Sequence, residues 1–306
     1  MYRRWLWPAL AFPGVLWLIL LFIVPFYAVL AVALGTVDPI LFQPVPVWNP
    51  LDWNVGWLSE VLTNLAPGGI WFDVGVRTIV YVLVSLALCL LIGYPVAYYT
   101  ARHAGRWKGL VLVALILPLW INYLMRMLAW INLLAPDGLG TRTLHTFGIE
   151  KLFLTLGLLA EPGGWLNGQP TTVILALVYG YLPFFILPLF VAIDRIDARQ
   201  IEAARDLGAS PLSAFLRVTL PLSVPGILAG IVLIALPMFG DYYTADLVSS
   251  STQTNMIGNQ IDEFMRQGSE KVTGAALTLL LSVFLLVLMF YYLRTTRRAG
   301  TSAQTA

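Results

Sequence analysis

Six stretches of this chain are long enough and apolar enough to cross a bilayer, and that constrains the fold more than any other feature. They lie at about 9–34, 75–100, 108–133, 171–193, 223–240 and 273–293. A helix rises 1.5 Å per residue, so ~20 apolar residues cross a hydrocarbon core ~30 Å thick. Lipid offers the backbone no hydrogen-bond partners, so stretches of this kind must be helices. The expected fold class is all-α, a polytopic membrane protein with six transmembrane helices. The polar segments between the spans reach only about 40 residues, too short for a separate soluble domain. Residues 1–306 are therefore expected to form a single transmembrane domain. Small residues around "AVALG" (Ala31 to Gly35) look like a cleavage site. The apolar run before them, however, is far longer than a secretory h-region of about 7–15 residues. The first stretch is read as an uncleaved span.

Prolines mark two of the spans. The fourth carries Pro183 and Pro188, and the fifth, which is short, carries Pro225 and Pro237. Proline lacks the helical N–H and clashes one turn back. Bent or broken spans are tolerated where protein or a water-filled cavity surrounds them. Spans 4 and 5 are expected to be bent or broken and to line an interior; a kinked packing helix is the other reading.

Charge sets the orientation. The N-terminal tip (Arg3, Arg4), the segment "RHAGRWK", the loop at 194–222 and the C-terminal tail (Arg294, Arg297, Arg298) hold 12 Lys and Arg residues. The other loops hold Arg142, Lys151, Arg266 and Lys271, and 12 of the 16 acids. Short loops rich in Lys and Arg stay in the cytoplasm. Both termini and the 194–222 loop are thus expected on the cytoplasmic side. Trp5, Trp7, Trp71, Trp107, Tyr291 and Tyr292 near span ends fit an interfacial aromatic belt. One cysteine, Cys89, leaves no disulfide within the chain. The two histidines, His103 and His145, sit in different loops, which argues against a metal or His-based catalytic site.

The 194–222 loop is anomalous in so apolar a chain. Eight of 34 charged residues fall between Asp194 and Arg217. Ala, Arg, Gln, Glu and Leu there are strong helix formers, and Ile201, Ala204 and Leu207 recur at helical spacing. Gly208 stands where a left-handed C-terminal cap belongs, and Ser210-Pro211 reads as an N-cap followed by proline at the first helical position. Two short helices should meet at a sharp turn, with Leu220-Pro221 marking entry into span 5. Balanced charge disfavours nucleic acid and anionic lipid as partners of this loop. Small Ala residues and mixed charge suit docking into a groove on another protein; a solvated connector is the alternative.

Glu202-Ala203-Ala204, then Gly208, then Val218-x-Leu220-Pro221 resembles the EAA loop of binding-protein-dependent ABC importers, with Val218 where Ile is usual. The resemblance implies a type I ABC importer permease fold over the whole chain, in a bacterial inner membrane. It implies that Glu202, Ala203, Ala204, Gly208, Val218, Leu220 and Pro221 form the coupling helix region that seats in a cytoplasmic ATPase. It also implies the partners: a second permease subunit, expected to be a distinct homologous chain, two ATPase subunits and a soluble extracytoplasmic binding protein. No G-x-x-x-x-G-K-[ST] phosphate loop occurs in the sequence. ATP and Mg are therefore expected on the partner ATPase, with no cofactor on this chain, which is not itself an enzyme.

Span 3, "LPLWINYLMRMLAWINLLAPDGLG", contains Arg126. Exposing such a residue to lipid costs several kcal/mol, which makes it a functional candidate, with a snorkelling structural Arg as the alternative. Trp120, Tyr123 and Trp130 surround it in sequence and offer faces that attract cations. This span and "FGDYYTADLVSSSTQTNMIGNQI" (Phe239 to Ile261) resemble polyamine permeases of the spermidine/putrescine type. The implied cargo is a polycation, with Asp241, Tyr242, Tyr243 and Asp246 as candidate pathway residues and acid-rich external loops to concentrate it. Arg126 opposes a cation unless an acid pairs with it, and Asp241 is the expected partner. Left unpaired, Arg126 points to an organic or inorganic anion instead. A secondary transporter would need acids buried mid-span, and none lies well inside a predicted span. No nucleophile–base pair suggests a membrane enzyme, and no filter-like segment suggests a channel.

Overall fold

The computed structural model describes residues 6–41, 43–249, 251–267 and 270–302. Arg3, Arg4 and Trp5 lie outside the described residues, as do the side chains of Trp7, Arg297 and Arg298. In chain order the helices are α1 (Leu10–Ala33), α2 (Gly56–Leu65), α3 (Phe72–Arg102), α4 (Lys108–Ile116), α5 (Tyr123–Leu134), α6 (Leu139–Thr146), α7 (Ile149–Thr155), α8 (Pro170–Asp194), α9 (Ala198–Asp206), α10 (Pro211–Phe239), α11 (Tyr243–Ser249), α12 (Ile257–Arg266) and α13 (Lys271–Ser302). A two-stranded antiparallel ribbon, β1 (Thr36–Val37) and β2 (Pro44–Val45), pairs Thr36 with Val45.

Five single helices are long and apolar enough to cross a membrane: α1, α3, α8, α10 and the stretch Lys271–Arg294 of α13. The pair Gly105–Trp120 and Tyr123–Leu134 makes a sixth if counted as one span. The expected spans are thus all found, with three corrections. Span 3 is not continuous: its two halves meet at 92°. Pro118 lies in a 3-10 turn, Leu117–Trp120, and Ile121 then turns extended. The Asn122 side chain accepts from Leu124 N at 2.9 Å and so caps a new helix. Conversely, α8 and α10 run unbroken through all four prolines that were expected to bend or break them. They are nonetheless an interior pair, α8 being the most deeply buried span. Finally, α10 begins at Pro211, well before the expected start of span 5. A π turn at Phe215–Thr219, closed by Leu220 N to Phe215 O, carries the helix past Pro221 without interruption.

The chain divides into two compact units, Met1–Asp73 with Gln260–Phe284, and Val74–Asn259 with Leu285–Ala306. In the first, Ala33, Leu34, Val61, Ala275, Ala276 and Leu279 form a small apolar core against which Trp53, Trp71 and Phe264 pack. In the second, α8 and α10 lie in close contact. A Cβ on Gly226 would come within 2.3 Å of Ala192 Cβ, and one on Gly230 within 2.8 Å of the Phe185 ring. Glycines at these two positions let the backbones approach. In a lipid environment that van der Waals contact, rather than the hydrophobic effect, holds helices together. Phe185, Leu189, Ile193, Ile234 and Met238 fill the seam and are buried.

Candidate functional site

Two features of the second unit hold most of the residues singled out by the sequence. The first is the loop between α8 and α10. Asp197 caps α9 by accepting from Arg199 N at 3.0 Å. The helix ends in a Schellman turn: Gly208 adopts φ +88°, Gly208 N donates to Arg205 O at 2.9 Å, and Ala209 N donates to Ala204 O at 3.1 Å. Ser210 Oγ then accepts from Ser213 N at 3.2 Å, with Pro211 opening α10. The sharp turn therefore has the geometry expected of it. The apolar stripe is only partly covered. Ile201 and Ala204 are half-buried, but Leu207 is 90% exposed. Leucine at the C-cap lies past the last turn, where none of the described residues covers it. Glu202 and Ala203 are exposed, Val218 and Leu220 half-buried and Pro221 exposed. A hollow of about 540 Å³ opens at the turn, lined by Ala204, Leu207, Gly208, Ala209, Ser213 and Val218 among others.

The second feature is centred on Asp241, just beyond α10. Its carboxylate is buried and draws together three helices. One oxygen accepts from Thr244 N at 2.9 Å. The other accepts from Thr244 Oγ1 at 2.8 Å, Tyr181 OH at 3.0 Å and Tyr123 OH at 3.4 Å. Tyr123 OH also shares a hydrogen bond with Thr244 Oγ1. Tyr123 comes from α5, Tyr181 from α8 and Thr244 from α11. A hollow of about 280 Å³ lies over this cluster, lined by Tyr123, Tyr181, Gly240, Asp241, Tyr242 and Tyr243. The Tyr242 and Tyr243 rings lie 4.0 Å apart. From behind, Asn259 Nδ2 donates to Tyr242 O at 2.6 Å, and Gly258 packs against the Asp241 carbonyl, leaving no room for a Cβ.

Arg126 is buried beside this cluster, its guanidinium carbon 5.1 Å from the Tyr123 ring centroid. The expected ion pair with Asp241 does not form, because the carboxylate is already engaged by hydroxyl and amide donors. Nε and Nη1 of Arg126 are buried without a hydrogen-bond partner. Nor does the side chain snorkel: it is buried on the first turn after the bend, against the Tyr123 ring. Of the other candidates, Trp120 is 83% exposed, and Asp246 is exposed on α11, outside the lining of the hollow. Trp130 packs on Tyr179 and lines a separate apolar hollow with Leu134, Phe153 and Trp165. Tyr181 and Thr244 were missed by sequence reasoning. Two tyrosines, Tyr179 and Tyr181, within the apolar run of α8 were the available signal for Tyr181.

Residues 69–300 match the family described as "Binding-protein-dependent transport system inner membrane component". The chain belongs to that family. The permease is 34% identical over 286 residues to the "Spermidine/putrescine transport system permease protein PotB" of Haemophilus influenzae, covering 91% of this chain and 90% of that protein. It is 33% identical over 228 residues to the protein of the same name from Escherichia coli, covering 74% and 79% respectively. The "Inner membrane ABC transporter permease protein YdcU" of Escherichia coli is 33% identical over 235 residues, covering 75% and 72%. A crystal structure of a bacterial alginate ABC transporter with its pentasaccharide-bound periplasmic protein shares the fold, with a TM-score of 0.68 at 16% identity over 97% of this chain and 96% of that one. The permease is accordingly a multi-pass inner-membrane subunit of an ABC importer, a transport subunit and not itself an enzyme.

Proposed function

We propose that the permease translocates polyamines of the spermidine/putrescine class by alternating access, with Asp241 as the cation checkpoint. The observation that carries this reading is the buried Asp241 carboxylate ringed by Tyr123, Tyr181, Tyr242 and Tyr243 over a small hollow. A primary ammonium wants a carboxylate and aromatic faces. Here the carboxylate's lone pairs are held by hydroxyls, which can rotate aside for an entering ammonium without leaving a buried charge unpaired. The names of the relatives above support the same cargo class.

At the other end, Glu202, Ala203, Ala204, Gly208, Val218, Leu220 and Pro221 form the ATPase contact. The exposed Leu207, Leu212 and Leu216 supply the apolar surface that seats in the partner's cleft. ATP and Mg reside on two ATPase subunits, a second permease chain, distinct but homologous, completes the pathway, and a soluble binding protein delivers cargo from outside.

A second reading rests on Arg126. A buried guanidinium with two unpartnered donors suits a carboxylate or an oxyanion. Uptake of labelled spermidine decides between them, in a host lacking redundant polyamine importers and carrying the intact chain, a deletion, or Glu202→Ala with Gly208→Asp. Loss of uptake in the deletion and the loop variant, with competition by unlabelled putrescine, is the expected result. Unchanged uptake, or competition by anionic solutes alone, sinks the polyamine assignment and favours Arg126 as the cargo ligand.

A further inference from the structure

The turn between α3 and α4 holds both feet of the coupling loop. Arg102, the last residue of α3, donates from Nη2 to Ile193 O at 3.0 Å and to Ile196 O at 2.8 Å. These carbonyls lie in the last turn of α8 and in the short connector that leads to α9. A helix C-terminus is the negative end of the helix dipole and leaves carbonyls with lone pairs to spare, so a guanidinium there is doubly suited; Ile193 O also accepts from Ile196 N at 3.2 Å. Lys108, the first residue of α4, places Nζ 2.5 Å from Asp194 Oδ1 and over the Phe190 ring, 5.1 Å from its centroid. At the other foot, Phe215 of the π turn in α10 meets Tyr94 and Tyr98 of α3 edge-on, at 5.6 Å each. Tyr94 OH shares a 2.9 Å hydrogen bond with Ser223 Oγ of α10.

A single half-exposed ion pair is a weak tie. The tie here is composite. Residues 190–196 are gripped by two cations from consecutive helices, and one of them is largely shielded from solvent. Beyond Lys108, α4 runs to Ile116 and a 3-10 turn carries the arm to Trp120; the 92° bend at Ile121–Asn122 then leads into Tyr123.

We propose that Arg102 and Lys108 are positioning residues that strap the end of α8 to the α3–α4 turn, so that displacement of α9 is carried into α4 and on to the bend that sets Tyr123 against Asp241. Without the strap, a push on α9 is absorbed by the connector at 195–197. With it, the base of the coupling loop and α4 move as one body. The inference rests on the coupling-loop reading given above and adds the route by which the motion leaves the loop.

The test uses the complete importer, purified with its ATPase subunits and reconstituted. Spin labels on Arg106→Cys and Arg199→Cys, in a Cys89→Ser background, report the distance between the α3–α4 turn and α9. Both labelled positions are exposed, and Cys89 is buried. The expected result is one narrow distance that ATP does not change. Lys108→Glu should broaden it and make it ATP-dependent, and the swap Lys108→Glu with Asp194→Lys should restore it, as should Lys108→Arg. Solute moved per ATP hydrolysed should fall about fivefold or more in Lys108→Glu and Arg102→Met, with ATPase association retained. The proposal is overturned if the distance changes with ATP in the parent protein, if Lys108→Glu leaves it narrow, or if the charge swap fails to restore it. Glu202→Ala separates the two ideas. If it leaves ATPase association intact, the docking role of the loop falls, while the strap still stands or falls on the measured distance.

Discussion

Replacing Gly208 isolates the contribution of one backbone angle. At φ +88° a Cβ would meet nothing within 4 Å, so alanine fits the space and any penalty comes from the backbone alone. The left-handed region costs an L-residue about 1–2 kcal/mol. That shifts the turn equilibrium roughly five- to thirtyfold toward states that lose the Gly208–Arg205 and Ala209–Ala204 hydrogen bonds. The turn carries Leu207 and closes α9, so the same factor should appear in ATPase affinity. It should not appear in the unfolding temperature of the permease, because the loop can open locally while the helices stay packed. Asparagine visits the left-handed region more readily than alanine, and β-branched residues least of all. The expected order of affinity is Gly, Asn, Ala, Val. It is measured by titrating purified ATPase onto the solubilised permease pair, with thermal melts of each variant alongside. If alanine and valine bind as tightly as glycine, the left-handed cap has no part in docking and the reasoning fails.

Two further predictions concern the interior. Asp241→Asn should abolish spermidine uptake while leaving ATPase association unchanged, and Tyr181→Phe, which removes one of the carboxylate's donors, should have a smaller effect; radiolabel uptake with co-purification reads both. Gly230→Ala should destabilise the protein by about 1–3 kcal/mol, because the new methyl must displace the buried Phe185 ring. Gly109→Ala, with open space around its Cβ, should be neutral or stabilising, and thermal melts should show a drop for Gly230→Ala alone.

What the sequence made legible follows the range of the interactions involved. The first, second, fourth and sixth spans and the Gly208–Pro211 turn depend on neighbours within a few residues, and these emerge where expected. The prolines of spans 4 and 5 mark an interior pair, as expected, but they do not break the helices. In α8 and α10, Pro183, Pro188, Pro225 and Pro237 are absorbed within closely packed helices, whereas Pro118 stands beside Asn122, a residue able to cap a new helix. The capping residue, rather than the proline, decided where the chain broke. The Asp241 cluster was half legible. Asp241 and Tyr123 carried visible signals, but their partners Tyr181 and Thr244 come from other elements, which no local pattern brings together. Pairing Arg126 with Asp241 went wrong for a related reason: charge complementarity was weighed without counting the hydroxyls that also compete for a carboxylate.

The same geometry indicates where the moving boundary lies. The loop proposed to couple to the ATPase connects α8 to α10, and those two helices approach so closely at Gly226 and Gly230 that there is no room for a Cβ at either. A push on the loop therefore moves them together. The contact that can give way is the one to α5, made near the site by the Tyr123 hydroxyl and by the close approach of its ring to Gly180. The hydroxyl's hydrogen bonds cost only about 1 kcal/mol each net to break, a range that differential binding of nucleotide or cargo can bias, and the Trp130–Tyr179 packing adds to that cost. Asp241 lies on that boundary. A carboxylate that trades a tyrosine hydroxyl for an ammonium would loosen α5 as it takes up cargo, so binding and opening become one event at one residue.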